Sequence, residues 1–339
     1  MPDPVIDPVS GLEIPQLWID RSGDIKAAEK IRSGMWVMLS DGRMLRRGLT
    51  TGTIAAAACK GAIISLCLPA ASVEVLTPVG LRVSVPVRAQ EGVCVAVKDA
   101  GDHQSDVTAG MEIVARASNC GDVQLRPGDG IGRLGRGLAK AAISRSAREQ
   151  IMQAVQEGLD IAGLKGVCID LSVPAGRDVS RNTLNPSLGI EGGISILGST
   201  GFVEPWNEHL GRSRAEELQE NKVVATTGRV GLRFSRVLFP DHKAVLIGSQ
   251  LERLSFREGQ ESILCGLPAL ILRWANPNIL EDTGYTTVAE MVEKEPSHES
   301  ITSALKTAKA RLPYTRIVLL HRDGRIFRDL PREADGTVV

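Results

Sequence analysis

Residues 46–62 read RRGLTTGTIAAAACKGA, two arginines and a Thr/Gly-rich turn running into an alanine-rich segment. Gly48 and Gly52 can take backbone angles closed to other residues, and the hydroxyls of Thr50, Thr51 and Thr53 can cap a helix opening near Ile54. Such a start points unpaired N–H groups and the positive end of the helix dipole outward, here beside Arg46 and Arg47. A carboxylate or phosphate could be held there. An ordinary capped helix with two solvated arginines would read the same way. Ala55 to Ala58 and Ala62 make one face small enough to pack closely on a sheet or to leave room for a large ligand.

After this helix the hydrophobic period changes. SVEVL (72–76), LRVSVPVR (81–88) and GVCVAVKDA (92–100) alternate or run apolar, rich in valine and separated by PVG and QEG turns, which predicts an antiparallel meander. MEIVARA (111–117) and KGVCIDLSVP (165–174) read as further strands, with a helix over 138–159 between them. Before the central stretch, 24–33 reads as a short helix and 1–22 as an extended, Pro-rich leader without the apolar core of a secretory signal.

Near residue 190 the pattern becomes strand, Gly-rich turn and helix, repeated. ISILG (194–198), KVVATTG (222–228), KAVLIG (243–248), LPALIL (267–272) and RIVLL (316–320) read as its strands. The expected fold is an α+β N-terminal domain over 1–190, followed by a smaller α/β domain with a mostly parallel sheet over 191–339. Ligands of such sheets sit at the carboxyl ends of the strands, which puts Gly198–Gly201, Thr226–Gly228 and Gly248–Ser249 along one rim. The same glycines would also serve plain strand-to-helix turns. GDGIGRLGRG (128–137) follows no clear strand and is not read as a dinucleotide fingerprint.

Composition limits the partners. The 40 basic and 40 acidic residues cancel, so no global field favours nucleic acid or anionic lipid. The longest mostly apolar run, 54–68, is broken by Lys60 and falls short of the roughly 20 residues a bilayer span needs. Six scattered cysteines, with no CxxC pair and no histidine cluster, suit reduced core residues in a cytoplasmic protein, and no metal site is expected.

Two loops look chemical. VKDAGDHQSDVTAG (97–110) places Lys98, Asp99, Asp102, His103 and Asp106 in a Gly-interrupted loop after a strand, where charged groups can bind ligands or move protons; a solvated loop with Asx turns would look alike. RDVSRNTLNPSLGIEGGISILGSTGFVEPWNE (177–208) is dense in Gly and Pro and is read as the domain junction, with Glu204 and Trp206 in its last turn.

Taken together, RRGLTTGTIAAAACKGA, VKDAGDHQSDVTAG and NPSLGIEGGISILGSTGFVEPWNE (185–208) resemble, in order and spacing, the CbiD family of anaerobic cobalamin biosynthesis. The likeness covers roughly 44–235. Residues 243–275 lack the Gly-Lys, Lys-Leu and Thr-His-Ser strings usual in that family, so a divergent C-terminal region is expected. The resemblance implies methyl transfer from S-adenosylmethionine to ring carbon C-1 of a cobalt-containing tetrapyrrole, cobalt-precorrin-5B, giving cobalt-precorrin-6A. It further implies cobalt carried only by the substrate, and hand-over to neighbouring pathway enzymes. Positions within the matching strings assign Arg46, Arg47, Thr50, Thr51, Thr53, Lys98, Asp99 and Asp102 to the substrate. Ser199, Thr200, Gly201, Glu204, Thr226, Thr227 and Gly228 are assigned to the methyl donor. A non-catalytic tetrapyrrole carrier and a small-molecule phosphotransferase are the alternatives, the latter without a Walker string.

Overall fold

In a computed structural model of the chain, the described residues are 4–134, 140–183, 185–205, 218–248, 251–257 and 259–333. They form two compact units. One is built from Arg32–Trp36 and from Leu45 to residue 205; the other takes the residues up to Ile31, Val37–Met44 and those from 218 on.

The first unit carries a six-stranded sheet. Its strands are β1 (Ala70–Leu76), β2 (Arg82–Gln90), β3 (Val93–Val97), β4 (Glu112–Asn119), β5 (Val123–Pro127) and β6 (Val167–Ser172), in the order β5-β6-β4-β3-β2-β1. Only β5 and β6 run parallel; the other neighbours are antiparallel, as the meander predicts. Burial along β2 alternates strictly, with Val83, Val85, Val87 and Ala89 inward, the period of a sheet covered on one face.

That face is covered by α1 (Thr51–Ile64), which in turn packs on α2 (Arg145–Ala162). Small side chains let α1 be buried on all sides, every residue from Thr51 to Ile63 being buried. Gly158 of α2 brings the helices together: a methyl there would stand 3.3 Å from Ile63. The Lys60 ammonium is satisfied inside, donating to the Glu74 carbonyl at 2.7 Å and to Glu157 at 2.6 Å.

The second unit holds a five-stranded sheet of β7 (Lys222–Thr226), β8 (Lys243–Leu246), β9 (Glu261–Gly266), β10 (Arg316–Leu320) and β11 (Ile326–Leu330), ordered β8-β7-β9-β10-β11. All neighbours are parallel except the hairpin β10–β11. Helices α3 (Arg229–Leu238), α4 (Pro268–Ala275), α5 (Val288–Lys294) and α6 (Glu299–Arg311) accompany it. Its core gathers Val223, Ala225, Leu264, Ile271, Leu272, Ile317 and Leu319.

Several expectations change. LPALIL is not a strand: ESILCG supplies β9 and Pro268 opens α4, because a short apolar run suits either element and Pro is favoured in the first helical turn. Of ISILG only Ile194 lies in a strand, the two-residue Gly193–Ile194 paired parallel with Gly130–Ile131 in the first unit, while Ile196 makes a single bridge to Ile143. The division of the chain therefore falls after 205 rather than at 190, and the N-terminal residues belong with the second unit. Within 128–134, Gly130 (φ +71) is packed so tightly that a methyl would lie 1.8 Å from the Val173 carbonyl oxygen; close backbone approach explains this glycine. Residues 135–137 of that string lie outside the described residues.

Candidate functional site

In the first unit the three strings that carry the family resemblance converge on residues 46–50. On one side, Arg47 bridges Gly101 and the Leu49 N–H donates to the Asp99 carbonyl at 2.9 Å. On the other, Gly48–Leu49 pairs antiparallel with Phe202–Val203. The crossing is close enough that a methyl on Gly48 would meet the Ala100 carbonyl oxygen at 2.6 Å.

Protein groups occupy most of the start of α1. Thr50 is its cap and accepts the Thr53 N–H at 3.3 Å. Gly52 N–H donates to the Leu197 carbonyl at 2.8 Å, and Thr50 N–H to that of Gly201 at 3.0 Å. The Thr51 hydroxyl accepts the Leu197 N–H at 2.8 Å and donates to the Ser195 carbonyl at 3.1 Å. Thr53 donates to the Gly201 carbonyl at 2.9 Å and meets Gln150, buried on α2, at 3.2 Å. These threonines dock the 195–201 segment, whose carbonyls take the Thr50 and Gly52 N–H groups, while the Thr50 hydroxyl takes that of Thr53.

The charges fall into three pairs. Arg46 forks onto Asp99 through both terminal nitrogens, one at 3.0 Å, while its N–H donates to Asp102 at 2.6 Å. Arg47 is only 1% exposed; Nε donates to Glu204 at 3.1 Å and Nη1 to the carbonyls of Gly34 and Trp36 at 3.0 and 3.3 Å. Lys98, 2% exposed, donates to Asp106 at 2.8 Å. Arg47 and Lys98 are thus internal cations already held by protein. Arg46, 39% exposed, Asp99, 34% exposed, and Asp102 are the members that face outward.

Burial pulls the Asp99 carboxyl up, but the hydrogen bonds from Arg46 and the Gly101 N–H outweigh it and hold the group below the usual range. Asp106 behaves alike: burial raises it, while Lys98 and Thr108 together bring it lower. The Arg46 guanidinium is raised in turn, chiefly by its hydrogen bond to Asp99.

Ser199 is exposed, whereas Thr200 closes a local turn with Phe202. Gly201 is buried (φ +88), and a methyl there would stand 2.7 Å from Thr77. With Glu204 paired to Arg47 and Gly201 packed on Thr77, both residues help hold the first unit together. Trp206 lies outside the described residues.

The rest of the expected donor set lies in the second unit. Its strand order reverses between β7 and β9, since β8 is added on one side of β7 and β9 on the other. Open α/β sheets take ligands at such a reversal, outside the carboxyl ends of the strands. Thr226 ends β7, Thr227 follows, and Gly228 caps α3 in extended conformation. Gly228 faces open space where a side chain would stand, as does Gly248 after β8. Thr226 points inward, its hydroxyl without a hydrogen-bond partner among the described residues and against Gly231. Thr227 lies against Gly266 at the end of β9, so the floor of the reversal is made of small residues. Ser249 lies outside the described residues.

Sequence reasoning does not single out Gln150 or Asp106 as supports. Gln150 was visible as a polar residue on the apolar face of α2 between Ala147 and Ile151. Asp106 was one of several carboxylates in its loop, and nothing local marked it as the partner of Lys98.

The family model described as CbiD matches residues 38–205. A relative from Methanococcoides burtonii, named cobalt-precorrin-5B C(1)-methyltransferase, is 45% identical over 334 residues, covering 96% of this chain and 98% of its own. A relative of the same name from Archaeoglobus fulgidus is 38% identical over 272 residues, covering 80% and 88%. The crystal structure of the cobalamin biosynthesis protein CbiD from Archaeoglobus fulgidus matches with a TM-score of 0.56 at 37% identity, covering 80% of this chain and 93% of that one. The likeness therefore runs far past residue 235, and the missing Thr-His-Ser string does not mark a break in it. Matched along nearly its whole length by such relatives, the chain belongs to the CbiD family.

Proposed function

We propose that the protein is an S-adenosylmethionine-dependent methyltransferase that methylates C-1 of cobalt-precorrin-5B, giving cobalt-precorrin-6A in cobalamin biosynthesis. The observation that carries this reading is the 45% identity to a relative of that name across 96% of the chain. Cobalt belongs to the substrate. No helix among the described residues is long and apolar enough to cross a membrane.

S-Adenosylmethionine, when bound, supplies a methyl group already activated on a sulfonium. What is left to the chain is to hold the reactants in line and at near-attack distance, a contribution worth up to about 7–11 kcal/mol of barrier. Thr227 and Gly228, at the strand-order reversal, would hold the donor; the open space at Gly228 and the small residues around it fit a bulky nucleoside. In the first unit, Arg46, Asp99 and Asp102 would face the acetate and propionate groups of the macrocycle, with exposed Ser199 a further polar contact. Arg47, Thr50, Thr51, Thr53, Lys98 and Glu204 are positioning residues that fix the backbone carrying these groups.

Calorimetric titration of S-adenosylmethionine into the wild type and Gly228→Val tests the donor site. Filling the open position should weaken binding by at least about tenfold, or 1.4 kcal/mol. Unchanged affinity would place the donor elsewhere.

A further inference from the structure

The parallel sheet of the second unit also has an amino end. There, beside the starts of β9 and β10, lies a cavity of about 490 Å³, within the range of small-molecule sites. Its polar floor includes Ser262 and Thr315, whose hydroxyls meet at 3.0 Å and which are each 3% exposed. Leu254, Phe256, Leu312 and Tyr314 supply apolar and aromatic wall.

The charge on this wall is one-sided. Arg257, Arg311 and Arg332 line it against the single carboxylate of Glu333. Arg311 is held in plane: its guanidinium carbon lies 5.0 Å over the Trp274 ring and Nη1 donates to the Trp274 carbonyl at 2.7 Å, with Glu252 more loosely placed at 3.6 Å. That leaves donors of its fork unused. Arg257 is tethered to the Gln219 carbonyl, whereas Arg332 acts on the Glu261 carboxylate only as a longer-range charge, that carboxylate lying 3.3 Å from both Lys222 and His242. Behind the wall the Lys309 ammonium donates to the Pro313 and Thr315 carbonyls at 2.7 and 2.9 Å, fixing the turn that carries Tyr314. The neighbouring Asp329 does not offset the arginines, being taken by Arg316 at 2.6 and 2.9 Å.

We propose that this cavity is a second ligand site, separate from the donor rim, which takes a small organic anion: a phosphate or carboxylate head on Arg311 and Arg332, and a flat apolar body against Phe256 and Tyr314. Planar guanidinium forks match both head groups, and an aromatic-lined recess accounts for the body.

Calorimetry at low salt with phenyl phosphate, benzoate, inorganic phosphate and benzyl alcohol tests it on the full chain, with Arg332→Gln and Arg311→Gln variants. Phenyl phosphate or benzoate should bind the wild type more tightly than inorganic phosphate or benzyl alcohol, and whichever is tighter names the head group. Arg332→Gln, a change at an exposed side chain, should weaken that binding by about tenfold, and Arg311→Gln at least as much. The proposal is overturned if neither aromatic anion binds, if inorganic phosphate or benzyl alcohol binds as well as they do, or if Arg332→Gln leaves their affinity unchanged.

Discussion

Arg47 and Glu204, 157 residues apart in the chain, meet at 3.1 Å, Nε donating to a carboxylate oxygen, with the Arg47 side chain 1% exposed and that of Glu204 19%. The pair ties the segment before α1 to the one that closes its start. Removing one partner of a buried pair costs about 3–5 kcal/mol, because the other charge remains inside. Glu204→Leu alone should fall near the lower end, since Glu204 is partly solvated, and Arg47→Met with Glu204→Leu should cost less than those two single changes summed. Urea unfolding of the four proteins measures this, and additive losses would mean the two residues are not coupled.

Thr51→Val keeps the shape of the side chain but leaves the Leu197 N–H without its acceptor. The expected loss is about 1–3 kcal/mol of stability, with Thr51→Ser close to wild type. Hydrogen exchange at Leu197 should speed up in the valine variant. Full stability with weakened ligand binding would restore the open anion site that the sequence suggested.

Gly101 has φ +59, and a methyl on it would lie 2.4 Å from the Arg46 carbonyl oxygen. Gly101→Ala combines an unfavourable backbone with a backbone clash, so the cost should exceed about 1–2 kcal/mol. Thermal unfolding checks it, and a neutral result would show that the crossing of 46–48 and 99–101 is looser than described.

Asp99 and Asp106 both sit below the ordinary carboxyl value of 3.8 in the folded chain. A depressed folded value means the unfolded chain binds protons first, so the stability these groups contribute is complete above pH 3.8 and is lost as the pH falls below it. Asp106→Asn should flatten the acid limb of the stability profile below about pH 4 while lowering stability at neutrality. An unchanged limb would show that the Lys98 pair does not govern acid unfolding.

Much of the architecture was readable from period alone. The strict alternation of β2 and the valine-rich neighbours gave the meander, and KVVAT, KAVL and RIVLL gave three strands of the parallel sheet. LPALIL misled because six apolar residues carry no period, and Gly193–Ile194 because a two-residue strand has too little pattern to show its partner. The site was legible as three strings but not as a geometry. Thr50, Thr51 and Thr53 announce a helix start, yet nothing local says whether its N–H groups meet a ligand or the carbonyls of Leu197 and Gly201. Arg47 and Arg46 are adjacent in sequence and opposite in fate, one internal and one facing out, a difference set by strands that arrive from far along the chain.

Methyl transfer to the corrinoid precursor can be read out in a single assay. Cobalt-precorrin-5B incubated with the purified protein and methyl-labelled S-adenosylmethionine, followed by mass spectrometry, tests it most directly. A gain of one labelled methyl at C-1, diminished in Gly228→Val, is expected. Tight tetrapyrrole binding with no gain of label would contradict it and make the protein a carrier.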